Sequence, residues 1–240
     1  SLKKGFDLLN IKGPETVPKN FTGRAFIEVQ SGGENRIVIF PGANEKITPD
    51  KIEKFMDRYE HSIEIMLIQN EIPRESIKKA IEQARKSGKT IVYDPAPKEN
   101  TAVEYLTGID FLTPNETEFE YLYTLCGGTE RISIEKKALW FKKHVQVKNL
   151  ILKQGSKGSL FVGEDGKIIL TPAFKVDSID STAAGDIFNA AFAVKYGLSK
   201  NIEESLVYAS AASAISVTRK GAQSSIPTDQ EVIELIRSHT

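Results

Sequence analysis

Cysteine is nearly absent from this chain: Cys126 is the only one in 240 residues. An intrachain disulfide framework and a multi-cysteine metal site are thereby excluded, and a reducing, cytoplasmic setting is expected. Cys126 precedes Gly127-Gly128 at the end of a helical pattern, where a packed thiol is expected rather than a nucleophile. Histidine is scarce as well. His61, His144 and His239 share no metal-ligand spacing and are expected on surfaces, not around zinc. No apolar run approaches the roughly 20 residues needed to cross a bilayer, and the opening Ser-Leu-Lys-Lys-Gly-Phe lacks the apolar core of a signal peptide, so a soluble protein is expected. Neither sign of charge is in excess. The 32 Lys plus Arg balance 32 Asp plus Glu, which leaves no electrostatic footprint for nucleic acid or an anionic membrane and points to a small-molecule partner. Two nucleotide signatures are missing too, G-x-x-x-x-G-K-[ST] and G-x-G-x-x-G, which excludes a Walker loop and weakens a dinucleotide-dependent dehydrogenase.

What is present is an alternation of elements. The first residues read as the end of a helix; Arg24 to Gln30 and Arg36 to Phe40 read as a hairpin around Ser31-Gly32-Gly33-Glu34-Asn35. From about residue 49 the pattern predicts helix 49–60, strand 63–69, helix 73–87, strand 90–94, strand 109–113, helix 115–125, helix 133–147 and strand 149–153. A second hairpin, 158–163 with 167–171, and helices 184–197, 201–217 and 228–238 follow. Short apolar strands alternating with helices imply a mostly parallel sheet covered by helices, with ligands at the carboxyl ends of the strands. The Lys/Glu-rich runs at 74–89 and 135–143 read as solvated helix faces.

Residues 180–193, Asp-Ser-Thr-Ala-Ala-Gly-Asp-Ile-Phe-Asn-Ala-Ala-Phe-Ala, carry the most chemical information. Small residues meet an acid where a loop becomes a helix, so the amides of Ala184, Gly185 and Asp186 can converge on an anion beside a carboxylate. Equally, Asp186 can simply favour a helix N-terminus. Three strands end in polar blocks: Gln69-Asn70-Glu71, Asp94-Pro95-Ala96-Pro97 and Thr113-Pro114-Asn115-Glu116-Thr117-Glu118. Each block also has a plain reading as turn and cap chemistry, with Asn115 as an N-cap. Lys153-Gln154-Gly155-Ser156-Lys157-Gly158 is either a loop that lets backbone approach an anionic ligand or an ordinary hairpin turn.

Taken together, these blocks resemble the ribokinase family of carbohydrate and nucleoside kinases over essentially the whole chain. The resemblance rests on Thr22 to Ala25, Pro41 to Asn44, Gln69 to Pro73, Asp94 to Pro97, Thr113 to Glu116, Asp180 to Asp186 and Val217 to Ser225, all in the family's order. It implies a three-layer α/β/α fold with a mostly parallel central sheet, residues 1–23 and 41–240 forming the kinase domain and 24–40 a β-strand lid. It also implies transfer of the γ-phosphate of ATP to the 5-hydroxyl of D-ribose. Asp186 matches the catalytic base, and the amides from Ala183 through Ala184 and Gly185 to Asp186 match the anion hole. Asn115 and Glu118 match an element organising magnesium and phosphate, in part through water, and Glu71 matches a sugar-contacting carboxylate. The run Lys153, Gln154, Gly155, Ser156, Lys157 and Gly158 matches nucleotide-binding backbone, and Ser210 flanks the adenine position. Asp180, Thr182, the carbonyls near Ser216, Arg219 and Gly221, and the hydroxyl of Ser225 match a potassium site.

One departure stands out. The family's N-terminal strands, with their sugar-binding Asn and Asp, two lid strands and a Gly-Gly-Lys-Gly-Ala-Asn loop, have no counterpart here. Their lack predicts an exposed sheet edge and lid that need a partner, hence a homodimer through the lid strands. Two other functions stay open: a kinase for another sugar or a nucleoside, and a non-catalytic nucleotide-binding or assembly fragment.

Overall fold

The computed structural model describes residues 17, 19–29 and 35–239, which divide at Thr48/Pro49 into two units. In the first unit, β1 (Arg24–Val29) and β2 (Asn35–Phe40) pair antiparallel, from Arg24↔Phe40 to Val29↔Asn35. The turn between them and the helix end expected at residue 1 lie outside the described residues. The segment 24–40 expected as a lid contains β1 and β2 of this unit. The unit also takes in the flanking segments, because the amide of Ala43 donates to the carbonyl of Phe21 at 2.9 Å and ties the two together.

The second unit is a six-stranded sheet in the order β3 (Ile65–Gln69), β4 (Thr90–Asp94), β5 (Phe111–Leu112), β6 (Asn149–Lys153), β7 (Ser159–Val162) and β8 (Ile168–Thr171). Strands β3 to β6 are parallel, and β7 runs antiparallel to both of its neighbours, β6 and β8. Its helices are α1 (Pro49–Tyr59), α2 (Arg74–Lys86), α3 (Val103–Leu106), α4 (Glu116–Leu125), α5 (Ile134–His144), α6 (Ala184–Ser199), α7 (Ile202–Val217) and α8 (Asp229–Arg237). Two cores follow from strand alternation. Ile91, Tyr93, Leu150, Leu152, Leu160 and Val162 pack with α2, α4 and α5. The residues between them, Val92, Ile151 and Phe161, join Phe111 against Phe188 and Phe192 of α6 and Leu206 and Ala209 of α7. Both faces are therefore covered, which is why β4 and β6 read as apolar runs. Among the described residues no helix is long and apolar enough to cross a membrane.

Most boundaries shift by a residue or two from expectation; two elements fall further short and one is unforeseen. The helix predicted over 133–147 stops at His144, because Val145 turns extended (φ −117°, ψ 128°) and sinks with Val147 into the first core. The strand predicted over 109–113 shrinks to Phe111–Leu112: the carboxylate of Asp110 accepts the amide of Ile91 at 2.8 Å, occupying a donor at the strand's start. Helix α3 is too short for a periodic signal to announce it.

At the carboxyl end of the sheet, fully buried Asn70 clamps two loops together. Its side-chain amide donates to Thr101 Oγ1 at 2.7 Å and to the carbonyl of Pro97 at 3.1 Å, while its Oδ1 accepts from the Tyr93 hydroxyl at 2.6 Å. Replacing Asn70 by Leu strands those partners in the interior, and urea unfolding is expected to show a loss of about 2–4 kcal/mol. A loss indistinguishable from zero would show that the two loops hold themselves.

Candidate active site

The parallel strands end at one level. Gln69 and Asp94 are register partners at the ends of β3 and β4, and Asn115 bridges to Lys153 at the end of β6. These four side chains and the head of α6 line a cavity of about 670 Å³. Its position at the carboxyl edge is where an open α/β sheet presents ligand-binding groups.

The head of α6 enters through Ala183, whose backbone is left-handed (φ 60°, ψ 9°). A non-glycine residue there costs roughly 1–3 kcal/mol, and such strain concentrates at functional sites. The turn commits one expected donor elsewhere: the amide of Ala184 donates to the carbonyl of Ser181 at 3.2 Å. The amides of Ala183, Gly185 and Asp186 accordingly remain, with no acceptor among the described residues. In the same first turn the carboxylate of Asp186 accepts from Gln69 Nε2 at 3.2 Å. Free amides, the positive end of a helix dipole and a carboxylate thus share one wall of the cavity.

Beside them lies a buried ion pair. Lys153 Nζ sits 3.2 Å from Asp94 Oδ2, with side chains 13% and 7% exposed, and Asn189 Nδ2 donates to the same oxygen at 2.5 Å. Burial raises the pKa of Asp94 while the Lys153 charge opposes the shift. Partial desolvation raises the pKa of Glu71, which is exposed on one side, with the like charges of Asp186 and Asp94 adding to it.

Asn115 and Glu118 close on each other as a capping box at the start of α4. The Asn115 amide donates to Glu118 Oε2 at 2.7 Å, Asn115 Nδ2 donates to Oε1 at 2.8 Å, and the Glu118 amide donates to Asn115 Oδ1 at 2.8 Å. Burial raises the Glu118 pKa, opposed by the hydrogen bond from the Asn115 backbone. Residues Gly155–Lys157 form a single 3-10 turn closed by Gly158, whose φ of 103° and approach to the carbonyl of Thr171 leave no room for a side chain. Among the described residues no cluster of three or more His, Cys, Asp or Glu could hold a metal ion.

Away from the cavity wall, Asp180 joins two loops. Its Oδ1 accepts the Thr182 amide and its Oδ2 the Gly221 amide, both at 2.9 Å, and the Ile179 amide donates to the carbonyl of Val217 at 2.7 Å. The amide of Gly221, with the backbone and side chain of Thr182, draws the Asp180 pKa down to about 2. Ser225 is buried and donates to the carbonyl of Ala222, and the carbonyl of Ser216 accepts the Arg219 amide at 3.1 Å. The groups gathered here that remain able to accept are oxygens, a donor set suited to a hard cation.

Of the residues singled out by sequence, the cavity brings together Asn115, Glu118, Lys153, Gly155, Ser156, Gly158, Ala183 to Asp186 and Ser210. Gln154, Lys157 and exposed Glu71 are not on its wall, nor are Asp180, Thr182, Ser216, Arg219, Gly221 and Ser225. His61, His144 and His239 are exposed; burial raises the pKa of the Cys126 thiol, which argues against a nucleophile. Sequence spacing does not reveal that Asp94, Asn189 and the Lys153 ammonium meet; the only local sign is a polar residue closing an apolar strand at Gln69, Asp94 and Lys153.

A doubly wound sheet whose strand ends face free helix-head amides and a carboxylate defines an α/β enzyme equipped to handle phosphate. The chain belongs to the pfkB family of carbohydrate kinases, whose pattern matches residues 9–229. It is 37% identical over 234 residues to the ribokinase of Haemophilus influenzae, covering 98% of this chain and 74% of that one. Its fold is similar to that of Thermotoga maritima ribokinase, with a TM-score of 0.86 and 43% identity over 98% of this chain and 76% of the other. The Arabidopsis thaliana ribokinase, solved with ribose and ATP, gives a TM-score of 0.78 and 33% identity over 91% of this chain and 70% of that one.

The low pKa of Asp180 has a consequence for stability. Its ordinary value is 3.8, so the stability it contributes is present above that value and is lost as pH falls toward about 2. A carboxyl-carbon NMR titration of Asp180 is expected to give a midpoint near 2, and Asp180→Asn to flatten the acid limb of the unfolding profile between 3.8 and about 2. A midpoint at 3.8 would show that the two amides do not hold the carboxylate.

Proposed function

We propose that this chain phosphorylates D-ribose at its 5-hydroxyl with ATP, giving ribose 5-phosphate. The observation that carries the reading is the Asp186 carboxylate beside the free amides of Gly185 and Asp186 on the wall of one cavity. The Arabidopsis relative, solved with ribose and ATP, and the ribokinases of Haemophilus and Thermotoga support the choice of sugar. In the transfer, the sugar oxygen forms a bond to the γ-phosphorus as the bond to the β–γ bridging oxygen breaks, and that electron pair leaves with ADP. Asp186 receives the hydroxyl proton. The Gly185 and Asp186 amides take up charge on the transferring group without reorganising, because the helix already aims them. Nucleotide lies along Gly155, Ser156 and Gly158, with Ser210 beside the base; Gln154 and Lys157 support the turn.

Magnesium, where bound, would neutralise phosphate charge. Glu118, through its remaining lone pairs, and Asn115 would hold it by way of water, consistent with an acid already committed to a capping box. Potassium would sit among Asp180, Thr182, Ser225 and the carbonyls of Ser216, Arg219 and Gly221, ordering the loop before α6. Glu71, next to Asp186, would meet the sugar. Pairing of two copies through β1 and β2 forms part of the same reading, supported by exposed Phe26, Ile39 and Phe40 on the hairpin. A cytoplasmic location is consistent with a single cysteine.

Asp186→Asn is expected to lower kcat by about 10²–10⁴-fold, the usual worth of a general base, while calorimetry shows ATP-analogue affinity retained. A full rate in the variant would remove Asp186 as the base. Ribose must bind with a nucleotide analogue present; binding and turnover of another sugar or a nucleoside in its place would overturn the substrate. Replacing potassium by tetramethylammonium is expected to reduce turnover, and Asp180→Asn to abolish the difference between the two salts. Equal rates in both salts would remove the cation site.

A further inference from the structure

The ion pair between Lys153 and Asp94 serves no purpose in the chemistry described so far. A buried pair of this kind adds little stability over apolar residues of the same shape. Its geometry is also incomplete as a structural contact. An ammonium has three donors, and Lys153 Nζ uses one, to Asp94 Oδ2. Asp94 accepts twice on that oxygen, from Lys153 and Asn189, while its Oδ1 is buried without a partner among the described residues. Lys153 Nζ lies 3.4 Å from where a side-chain carbon on Gly185 would stand, beside the free amides of the helix head. Both members of the pair line the cavity with Asp186. The other cation on that wall, Lys175, is exposed.

We infer that the Lys153 ammonium is a catalytic residue that uses its spare donors on the oxygens of the transferring phosphoryl group, and that Asp94, fixed by Asn189, is the positioning residue that holds it beside Gly185. The inference rests on reading the cavity as a phosphoryl-transfer site. Negative charge spreads over three phosphoryl oxygens during transfer, and the neutral backbone amides of the helix head meet it with partial charges alone. Lys153 supplies a positive charge beside the helix head, at Gly185. Before nucleotide binds, Asp94 neutralises that charge and keeps it away from Asp186. The location on β6, not on a mobile loop, fixes the reach of the side chain through the sheet.

The test compares the unaltered chain with Lys153→Met, Asp94→Asn and the double variant. In Lys153→Met, kcat is expected to fall about 10²–10³-fold, as when a preorganised transition-state donor is removed, with KM for ribose unchanged. Affinity for a non-hydrolysable ATP analogue relative to ADP is expected to fall about ten- to a hundredfold, the value of one charged hydrogen bond to the γ-phosphate. Lys153→Met strands a buried carboxylate, so the double variant, which leaves no lone charge, serves as the folded control. It should lose no more activity than Lys153→Met alone, because Asp94 acts through the lysine. An unchanged analogue-to-ADP ratio in both variants would overturn the role of Lys153, and additive losses would overturn that of Asp94. Absence of ribose turnover by the unaltered chain would instead overturn the sugar assignment, since the nucleotide ratio is read without sugar.

Discussion

The packing of α6 against the sheet is the contact on which the site depends. Phe192 is wholly buried and meets the ring of Phe111 at 5.0 Å, nearly edge-on, with Phe188 and Ala193 on the same face of the helix. An aromatic anchor of this size fixes both the axis and the rotation of a helix, because a rotated ring finds no matching space in a close-packed interior. The first turn of α6 then has only one place to be, over the ends of β3, β4 and β6. Asp186 and its neighbouring amides inherit their position from residues two turns away that touch no ligand.

The sheet supplies the other half. Parallel strands in register bring their last residues to one edge, so Gln69, Asp94 and Lys153 converge though 84 positions separate the first from the last. Apolar side chains at the preceding positions drive the strands into the interior, and the first polar residue of each emerges at the cavity. A hydrophobic pattern and a polar stop are thus enough to build a ring of chemistry. Asn70 and Asp180 play matching parts as clamps, the one holding the loops after β3 and β4, the other the loops on either side of α6 and α7.

Much of this was legible beforehand. The helix and strand order followed from periodicity because both cores are strongly patterned, and the motif from Asp180 to Asp186 marked the helix head through its small residues and acid. Boundaries were less legible where a tertiary contact overrode the local pattern, as with Val145 leaving its helix and Asp110 taking an amide of the neighbouring strand. Within the site, the donor role of Ala184 could not be anticipated, since the left-handed step at Ala183 redirects its amide to Ser181. The pairing of Lys153 with Asp94 was invisible for a different reason: nothing in either local sequence encodes a contact across 59 positions, and only the order of strands creates it.

The central claim is that phosphate is held at the head of α6, between its free amides and the cavity wall. Amide NMR of the isotopically labelled chain reads this directly as a non-hydrolysable ATP analogue, and then ADP, is added. The analogue is expected to move the Gly185 and Asp186 resonances strongly and ADP much less, with both ligands shifting Gly155 and Gly158. Identical responses at Gly185 and Asp186 to the two nucleotides, or none, would contradict the account.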